Sequence, residues 1–474
     1  MSHQDKDCRT RSGTYAQELQ GAIGDLLSGV DWQDVQFRKE CQWRPFGLVA
    51  AALVWAWSAK LALKDRFGQA LRFARGLGGR LAPPKTSYQA FMKLLVRWTV
   101  TLVGGLVLVF HVLMERKFPK QFRLAGFVIL AADGSKVRLA RTRSNEACYS
   151  PATRGKKGKK RRQTNRAKKR PRGSKARAQR ARDKKADSPQ LALTLLFHVL
   201  LRLPWDWRIG SSDTSEREQL RQMIPDLPAD ALLVADCGFV GYDFWSELLA
   251  SGRQFVIRVG GNVRLLQKLG FVREANDTVY LWPDKAAKRK QPPLMLRLLV
   301  VHDGRQPWYL VTSVRNRQRL SDKQVSQIYK LRWRIELFFR HFKQTYRREK
   351  LRSHKAEHVA CEAQWSLLGL WAMLLHTQIQ QKQHGQAGKV SVATVLRTFG
   401  RVIDEQRCRP EPGESLTEML LVALVDPYRR RDKTSRAHPR KKYEPPTKSP
   451  RLHRATCSQR QLVKQLMAHD AKKG

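Results

Sequence analysis

The chain has 474 residues, about three domains at the usual ~150 residues each, and 42% of them are hydrophobic. A chain of that composition buries a core, so wholesale disorder is excluded. Its 91 Lys and Arg against 40 Asp and Glu give a net charge of +51 and a pI near 10.8. That excess excludes an ordinary metabolic enzyme and calls for a polyanionic partner, nucleic acid or an anionic membrane surface.

Residues 1 to about 120 read as helical. AQELQGAIGDLLSGV and TSYQAFMKLLVRWTVTLVGGLVLVFHVLMERKF carry helix-like apolar spacing. Pro83-Pro84 breaks this region, Thr86-Ser87 caps the helix that follows, and Pro119 closes the domain. Two stretches raise the membrane question. Gly47 to Trp57 is too short to span, and Trp98 to Met114 is borderline against the ~20 apolar residues of a spanning helix. Thr99, Thr101, Gly104, Gly105 and His111 interrupt the second, which reads as a buried helix and leaves no membrane partner.

The pattern then changes. FVILAADGSKVRLAR (127–141) reads as a strand, a turn at Asp133-Gly134 and a second strand. From Arg154 to Lys185 there are 18 Lys or Arg and one acid, Asp183, a run that cannot pack a core and reads as a disordered arm. LALTLLFHVLLRL is strand-like, DTSEREQLRQMI a capped helix, ALLVADCGFV a buried strand ending at Asp236, YDFWSELLASGR a helix and FVIRVGG a strand. This alternation is an α/β pattern. Between 262 and 320 the helical rhythm gives way to the β-like runs TVYLW, LMLRLLVV and WYLVTSV, a β insertion. One long helix follows over Asp322 to Arg348 and another over Glu357 to Gln380. Tyr428 to Arg454, rich in Pro, Lys and Arg, reads as a flexible basic tail.

Seven widely spaced cysteines, without a C-x-x-C pair, argue against a disulfide framework or zinc finger. With no apolar signal-peptide core at the N-terminus, the expected location is cytoplasmic, associated with the nucleoid.

Asp133 (VILAAD) and Asp236 (LLVAD) each end an apolar strand in this reading, where open α/β sheets collect functional groups. Such an acid can bind a cation or activate water; Asp before Gly is also a common turn. In the long helix, Tyr329, Arg332, Glu336 and Lys343 fall within an arc of roughly 60° at 100° per residue. Leu331, Phe338 and Phe342 lie opposite, with Ile335 and Phe339 nearby, a face suited to burial against a sheet. An exposed stripe with an Arg332–Glu336 i,i+4 pair would give the same spacing.

Tyr329-x2-Arg332-x3-Glu336-x6-Lys343 resembles the Y-(2)-R-(3)-E-(6)-K signature of the insertion-sequence-four family of DDE transposases, matching in residue type and spacing. Asp133 in AADGS, Asp236 in ADCGF and Glu336 are similar to the family's three ordered acids, over roughly residues 125 to 380.

The resemblance implies an α/β, ribonuclease-H-like catalytic domain with a β-strand insertion, and the residue pattern outside it adds flanking helical N- and C-terminal regions. The expected divisions are a helical N-terminal domain for DNA-end binding (1–120), a first catalytic part (121–261) containing the basic loop 154–185, a β insertion (262–320), final catalytic helices (321–385) and a helical, basic C-terminal region (386–474). Asp133, Asp236 and Glu336 are implied to bind two Mg²⁺ ions, for which Mn²⁺ can substitute. Arg332 and Lys343 are implied to hold DNA phosphate, with Tyr329 on phosphate or deoxyribose. Trp308, at the start of WYLVTSV, is in the position of an insertion-domain Trp that stacks on a flipped base; a core Trp is the alternative.

The implied activity is cut-and-paste transposition: binding of terminal inverted repeats, then metal-dependent cleavage and strand transfer. The implied partners are double-stranded DNA at transposon ends and target, and a second copy of the chain in a paired-end complex. A catalytically inactive, highly basic DNA-binding protein derived from a transposase is the competing reading. A metal-dependent nuclease without strand transfer and a membrane-surface protein are two others.

Overall fold

The computed structural model describes residues 13–33, 35–77, 82–83, 86–151, 188–302, 307–386, 388–425 and 448–471. The basic run 154–185, Pro84 and most of the 428–454 tail lie outside the described residues.

Five helices open the chain: α1 (Tyr15–Leu27), α2 (Pro45–Trp57), α3 (Leu63–Gly76), α4 (Tyr88–Lys117) and the single turn α5 (Pro119–Phe122). Pro119 therefore starts a turn, where its missing N–H costs nothing. Ser87 caps α4 by accepting from the Ala90 N–H at 3.1 Å. α2 is apolar on every side and is buried from Gly47 to Trp57, as a helix without a polar face must be. α4 is long and apolar enough to cross a membrane by composition alone. Phe91, Leu95, Leu102, Leu106, Phe110 and Leu113, at helical spacing, face the core, and the His111 ring stacks on Trp205 with centroids 3.6 Å apart.

The central sheet follows: β1 (Val128–Arg138), α6 (Arg143–Tyr149), β2 (Gln190–His198), β3 (Leu203–Gly210), α7 (Glu216–Arg221), β4 (Ala231–Ala235), α8 (Tyr242–Ala250) and β5 (Gln254–Val259). β6 (Arg264–Gln267), β7 (Thr278–Leu281), α9 (Asp284–Lys288), β8 (Leu294–Val301) and β9 (Trp308–Thr312) come next. The ten strands are ordered β10-β6-β7-β8-β9-β5-β4-β1-β2-β3, with β10 being Arg451–Arg454. β1, β4 and β5 are parallel neighbours, and both faces of β4 are covered, which explains its uninterrupted apolar run. This mixed sheet flanked by helices is the ribonuclease-H-like α/β fold expected from the sequence.

Within the sheet, two features differ from the sequence reading and one adds to it. Asp133-Gly134 is not a turn: β1 is one strand, and these residues pair with Leu195 and Thr194 of β2. The strands of residues 262–320 extend the central sheet, since β9 pairs antiparallel with β5. Part of the basic tail is ordered, because Arg451–Arg454 pairs parallel with β6 and is followed by a helix over Cys457–Ala471. Arg451 and Arg454 on this edge strand also oppose further strand addition.

The helices that follow β9 are α10 (Asp322–Leu331), α11 (Trp333–Arg340), a π-helical segment over His341–Thr345, α12 (Ala356–Gln383), α13 (Val392–Asp404) and α14 (Leu416–Leu421). The expected single helix from Asp322 is interrupted at Arg332, although Arg332 keeps right-handed helical dihedrals.

α12 ties the N-terminal helices to the sheet domain. A Cβ on Gly369 would come within 3.0 Å of the Ala56 Cβ, so glycine permits α2 to approach α12 closely. The Gly369 carbonyl accepts from the Trp57 indole at 2.8 Å. Arg66 and Glu362 form a buried pair at 3.6 Å, with side chains 2% and 1% exposed. Glu362 also accepts from the Ser353 N–H and hydroxyl at 2.9 and 2.8 Å.

Candidate active site

β1 continues past the end of β4. Their parallel pairing stops at Ala131↔Val234, and β4 itself stops at Ala235. Asp133 therefore stands where β1 loses its β4 neighbour, and Asp236 follows the last residue of β4. The two acids meet at the carboxyl end of the parallel strands by different routes, one in mid-strand and one at a strand end. Asp236 accepts from the Gly238 N–H at 2.8 Å, which fixes its carboxylate over the next turn. Asp133 accepts from the Gly134 N–H at 2.9 Å.

α11 supplies Glu336. Ile335, Phe338 and Phe339 are buried, and Phe338 packs on Phe197 of β2 with centroids 5.4 Å apart. Phe197 is the cross-strand partner of Ala131. Residues two apart share a strand face, so α11 lies on the Asp133 face of the sheet.

Arg332 joins the acids. Its guanidinium is 2.8 Å from Glu336 Oε1 and 3.8 Å from Asp133 Oδ2. Burial alone would lower the Arg332 pKa, but Tyr329, Glu336 and Asp133 together raise it, so the cation is firmly held. Burial pushes the Asp133 carboxyl up to about 6; the Gly134 N–H and Arg332 oppose the rise, and the charges of Asp236 and Glu336 add to it.

Lys343 lies within the π-helical segment His341–Thr345, whose wider turn alters the regular 100° rotation assumed from the sequence. It remains at the site: burial lowers its pKa, and the Asp133 charge opposes that fall. Tyr329 is buried rather than part of an exposed stripe, and its hydroxyl has no hydrogen-bond partner among the described residues. Its ring lies 5.4 Å from that of Trp308, with the Lys330 ammonium 5.9 Å from the Trp308 ring centre. The structure thus brings together Asp133, Asp236, Glu336, Arg332 and Lys343, with Tyr329 and Trp308 beside them.

The sequence reading missed Glu216. Its carboxylate covers Gly134, where a Cβ would come within 2.0 Å of the Glu216 carboxyl carbon. Burial and then the Asp236 charge raise its pKa, while Lys136 opposes them. Thr194, the cross-strand partner of Gly134, donates to Gln219 of α7 at 2.7 Å. Glu216 therefore approaches from the sheet face opposite Glu336. Glu216 was legible only as part of a capped helix, because nothing local to it shows which strand residue it covers.

Three carboxylates are the hard oxygen donors that suit Mg²⁺ or Mn²⁺. Among the described residues no three His, Cys, Asp or Glu side chains stand close enough together to hold one ion. In this arrangement the Arg332 guanidinium neutralises Asp133 and Glu336. The donor chemistry fits a divalent ion.

A family model described as "Transposase DDE domain" matches residues 125–372. The transposase InsG of insertion sequence element IS4 from Escherichia coli (strain K12) is 28% identical over 207 residues, covering 41% of this chain and 46% of that protein. The chain thus spans about half the length of the curated relative it matches. A structure of a piggyBac transposase synaptic complex with hairpin DNA is similar at 10% identity and a TM-score of 0.38, covering 92% of this chain and 91% of that one. With a family match across just over half of its residues, the chain belongs to the DDE-domain transposases, the family to which its Tyr-Arg-Glu-Lys helix and two ordered aspartates pointed.

Proposed function

We propose that the protein is a cut-and-paste transposase that binds the terminal inverted repeats of an insertion sequence, cleaves there and joins the freed end to target DNA. The observation that carries this reading is that Arg332 bridges Asp133 and Glu336 while the Asp236 charge acts on Asp133, so that acids from two strands and a helix share one site inside the matched region. Asp133, Asp236 and Glu336 would hold two Mg²⁺ ions, with Mn²⁺ as substitute. Bound there, the ions would supply an activated nucleophile and charge stabilisation for in-line displacement at phosphorus.

The chain's own groups do the rest. Arg332, which lies between Asp133 and Glu336, would hold a non-bridging phosphate oxygen. Lys343 offers a second cation on the same side as Asp133. The orphaned Tyr329 hydroxyl can donate to phosphate, and the Trp308 ring can stack on a base displaced near the cut. In this reading residues 1–120 bind the DNA end, the strands of 262–320 carry Trp308 to the site, and 386–474 adds basic surface. The net charge of +51 suits a partner of high negative charge. Two copies act on paired ends, in the cytoplasm at the nucleoid.

Replacing the third acid is the direct test. Glu336→Gln should bind a terminal-repeat duplex as wild type does and fail to cleave it. Normal cleavage by Glu336→Gln would refute the assignment.

A further inference from the structure

Behind the catalytic helix lies a cavity of about 800 Å³ that the reaction does not use. Its floor is apolar, formed by Phe197, Leu337, Phe338 and Leu374 among others. Five cations line it: Arg202, Arg334, Arg340, Lys382 and Lys389. No Asp or Glu is among the described lining residues. At ordinary surfaces such cations are interspersed with acids; here they face one another. Arg202 and then burial are the leading causes that lower the Lys389 pKa, followed by Arg334 and Arg340. Burial and then Arg202 depress Arg334 to about 10.

Ser391, Val392 and Ala393 also line the cavity. They are the N-cap and first residues of α13, with Ser391 accepting from the Thr394 N–H. The first-turn N–H groups of Val392 and Ala393 have no intrahelical acceptor, and the helix dipole adds partial positive charge there. Arg334 and Arg340 belong to α11, the helix that carries Glu336, and Arg334 donates to the Val199 carbonyl at 2.7 Å. At 100° per residue Phe338 and His341 project away from Glu336, whereas Arg340, one turn on, lies on the Glu336 side, so the apolar floor of the cavity faces away from the acids and Arg340 stands at its rim toward them.

We propose that this cavity is a nucleotide-binding site, taking phosphates on Arg202, Arg340, Lys389 and the start of α13, and a base on the Phe197–Phe338 floor. Cations without acids select a polyanion, and the apolar floor selects one that carries a flat apolar group. The volume lies in the range of roughly 300–1,000 Å³ typical of small-molecule sites. Such a ligand is either a free nucleotide or a nucleotide of a bound DNA strand, with the same recognition chemistry.

The test uses the full chain and a fluorescent methylanthraniloyl-ATP probe, titrated at about physiological ionic strength, ~0.15 M, to suppress diffuse charge attraction. Wild type is compared with Arg340→Ala/Lys389→Ala and with Lys64→Ala/Lys93→Ala. Each double variant removes two exposed cations, so a non-specific effect of net charge would be equal in both. The expected result is one saturable site per chain, weakened about tenfold or more in the cavity variant, as for loss of charge-assisted phosphate contacts, and unchanged in the other. Equal affinity in all three proteins, or binding that does not saturate at one per chain, would overturn the proposal. Competition by a short unlabelled duplex then separates the sources. Stoichiometric displacement identifies a nucleotide of DNA, and simultaneous binding of probe and duplex identifies a free nucleotide.

Discussion

Replacing Asp133 with Asn should abolish cleavage and at the same time stabilise the metal-free protein. The carboxyl is held at about 6, against 3.8 for a free aspartate, chiefly by burial. Its side chain is 19% exposed, so solvent screening is limited. A shift of about two pK units corresponds to about 3 kcal/mol of native-state cost once the group is ionised. The sign follows from proton binding. Below pH 3.8 both native and unfolded states are protonated and the group contributes nothing. Between 3.8 and about 6 the native state retains the proton that the unfolded state releases, so stability falls as pH rises. Above 6 the loss is constant. Asn removes this cost, keeps an acceptor for the Gly134 N–H and places an amide donor near Arg332 at a cost of about 1 kcal/mol. The net expectation is a gain of about 2 kcal/mol above pH 6, turning to a loss of about 1 kcal/mol below pH 4. Urea unfolding in EDTA across this pH range measures it. Adding Mg²⁺ should stabilise wild type and leave the variant unmoved. A variant equally destabilised at every pH, or stabilised by Mg²⁺ as wild type is, would refute the reasoning.

Trp308→Ala should lower cleavage of an intact duplex while leaving DNA affinity within a few-fold, and an abasic nucleotide beside the cut should restore much of the rate, because it removes the unstacking cost of a few kcal/mol. Gel-based cleavage of the two substrates checks this; an equal defect on both would make Trp308 a packing residue. Glu362→Ala should cost about 3–5 kcal/mol, since it strands the buried Arg66 and the Ser353 hydrogen-bond groups. Denaturant unfolding reads that loss, and a change below about 1 kcal/mol would show that the pair does not join the two regions.

Much of the candidate site was legible because it depends on local patterns. The spacing of Tyr329, Arg332, Glu336 and Lys343 is a helical property, and the apolar runs before Asp133 and Asp236 announce strands buried on both faces. What escaped depends on partners remote in sequence. Asp133-Gly134 resembles a turn, and only the pairing of β1 with Leu195 and Thr194 of β2 keeps it in a strand. Glu216 reaches the site across the sheet from a helix whose own sequence shows only a cap. The π-helical segment at His341–Thr345 leaves no periodic signature in so short a stretch. Arg451–Arg454 resembles basic tail because a strand at a sheet edge needs no buried side chains.

The most direct test of the central claim is Mg²⁺-dependent cleavage of an end-labelled duplex carrying the element's terminal repeat, by wild type and by Asp236→Asn. Asp236 is the acid that the parallel strand β4 delivers to Asp133, so the account predicts cutting at the repeat end by wild type and none by the variant, with both proteins binding the duplex. Cutting by both would place the chemistry elsewhere in the chain. Tight binding of that duplex without cutting by wild type would contradict the catalytic account and leave a DNA-binding protein built on a transposase fold.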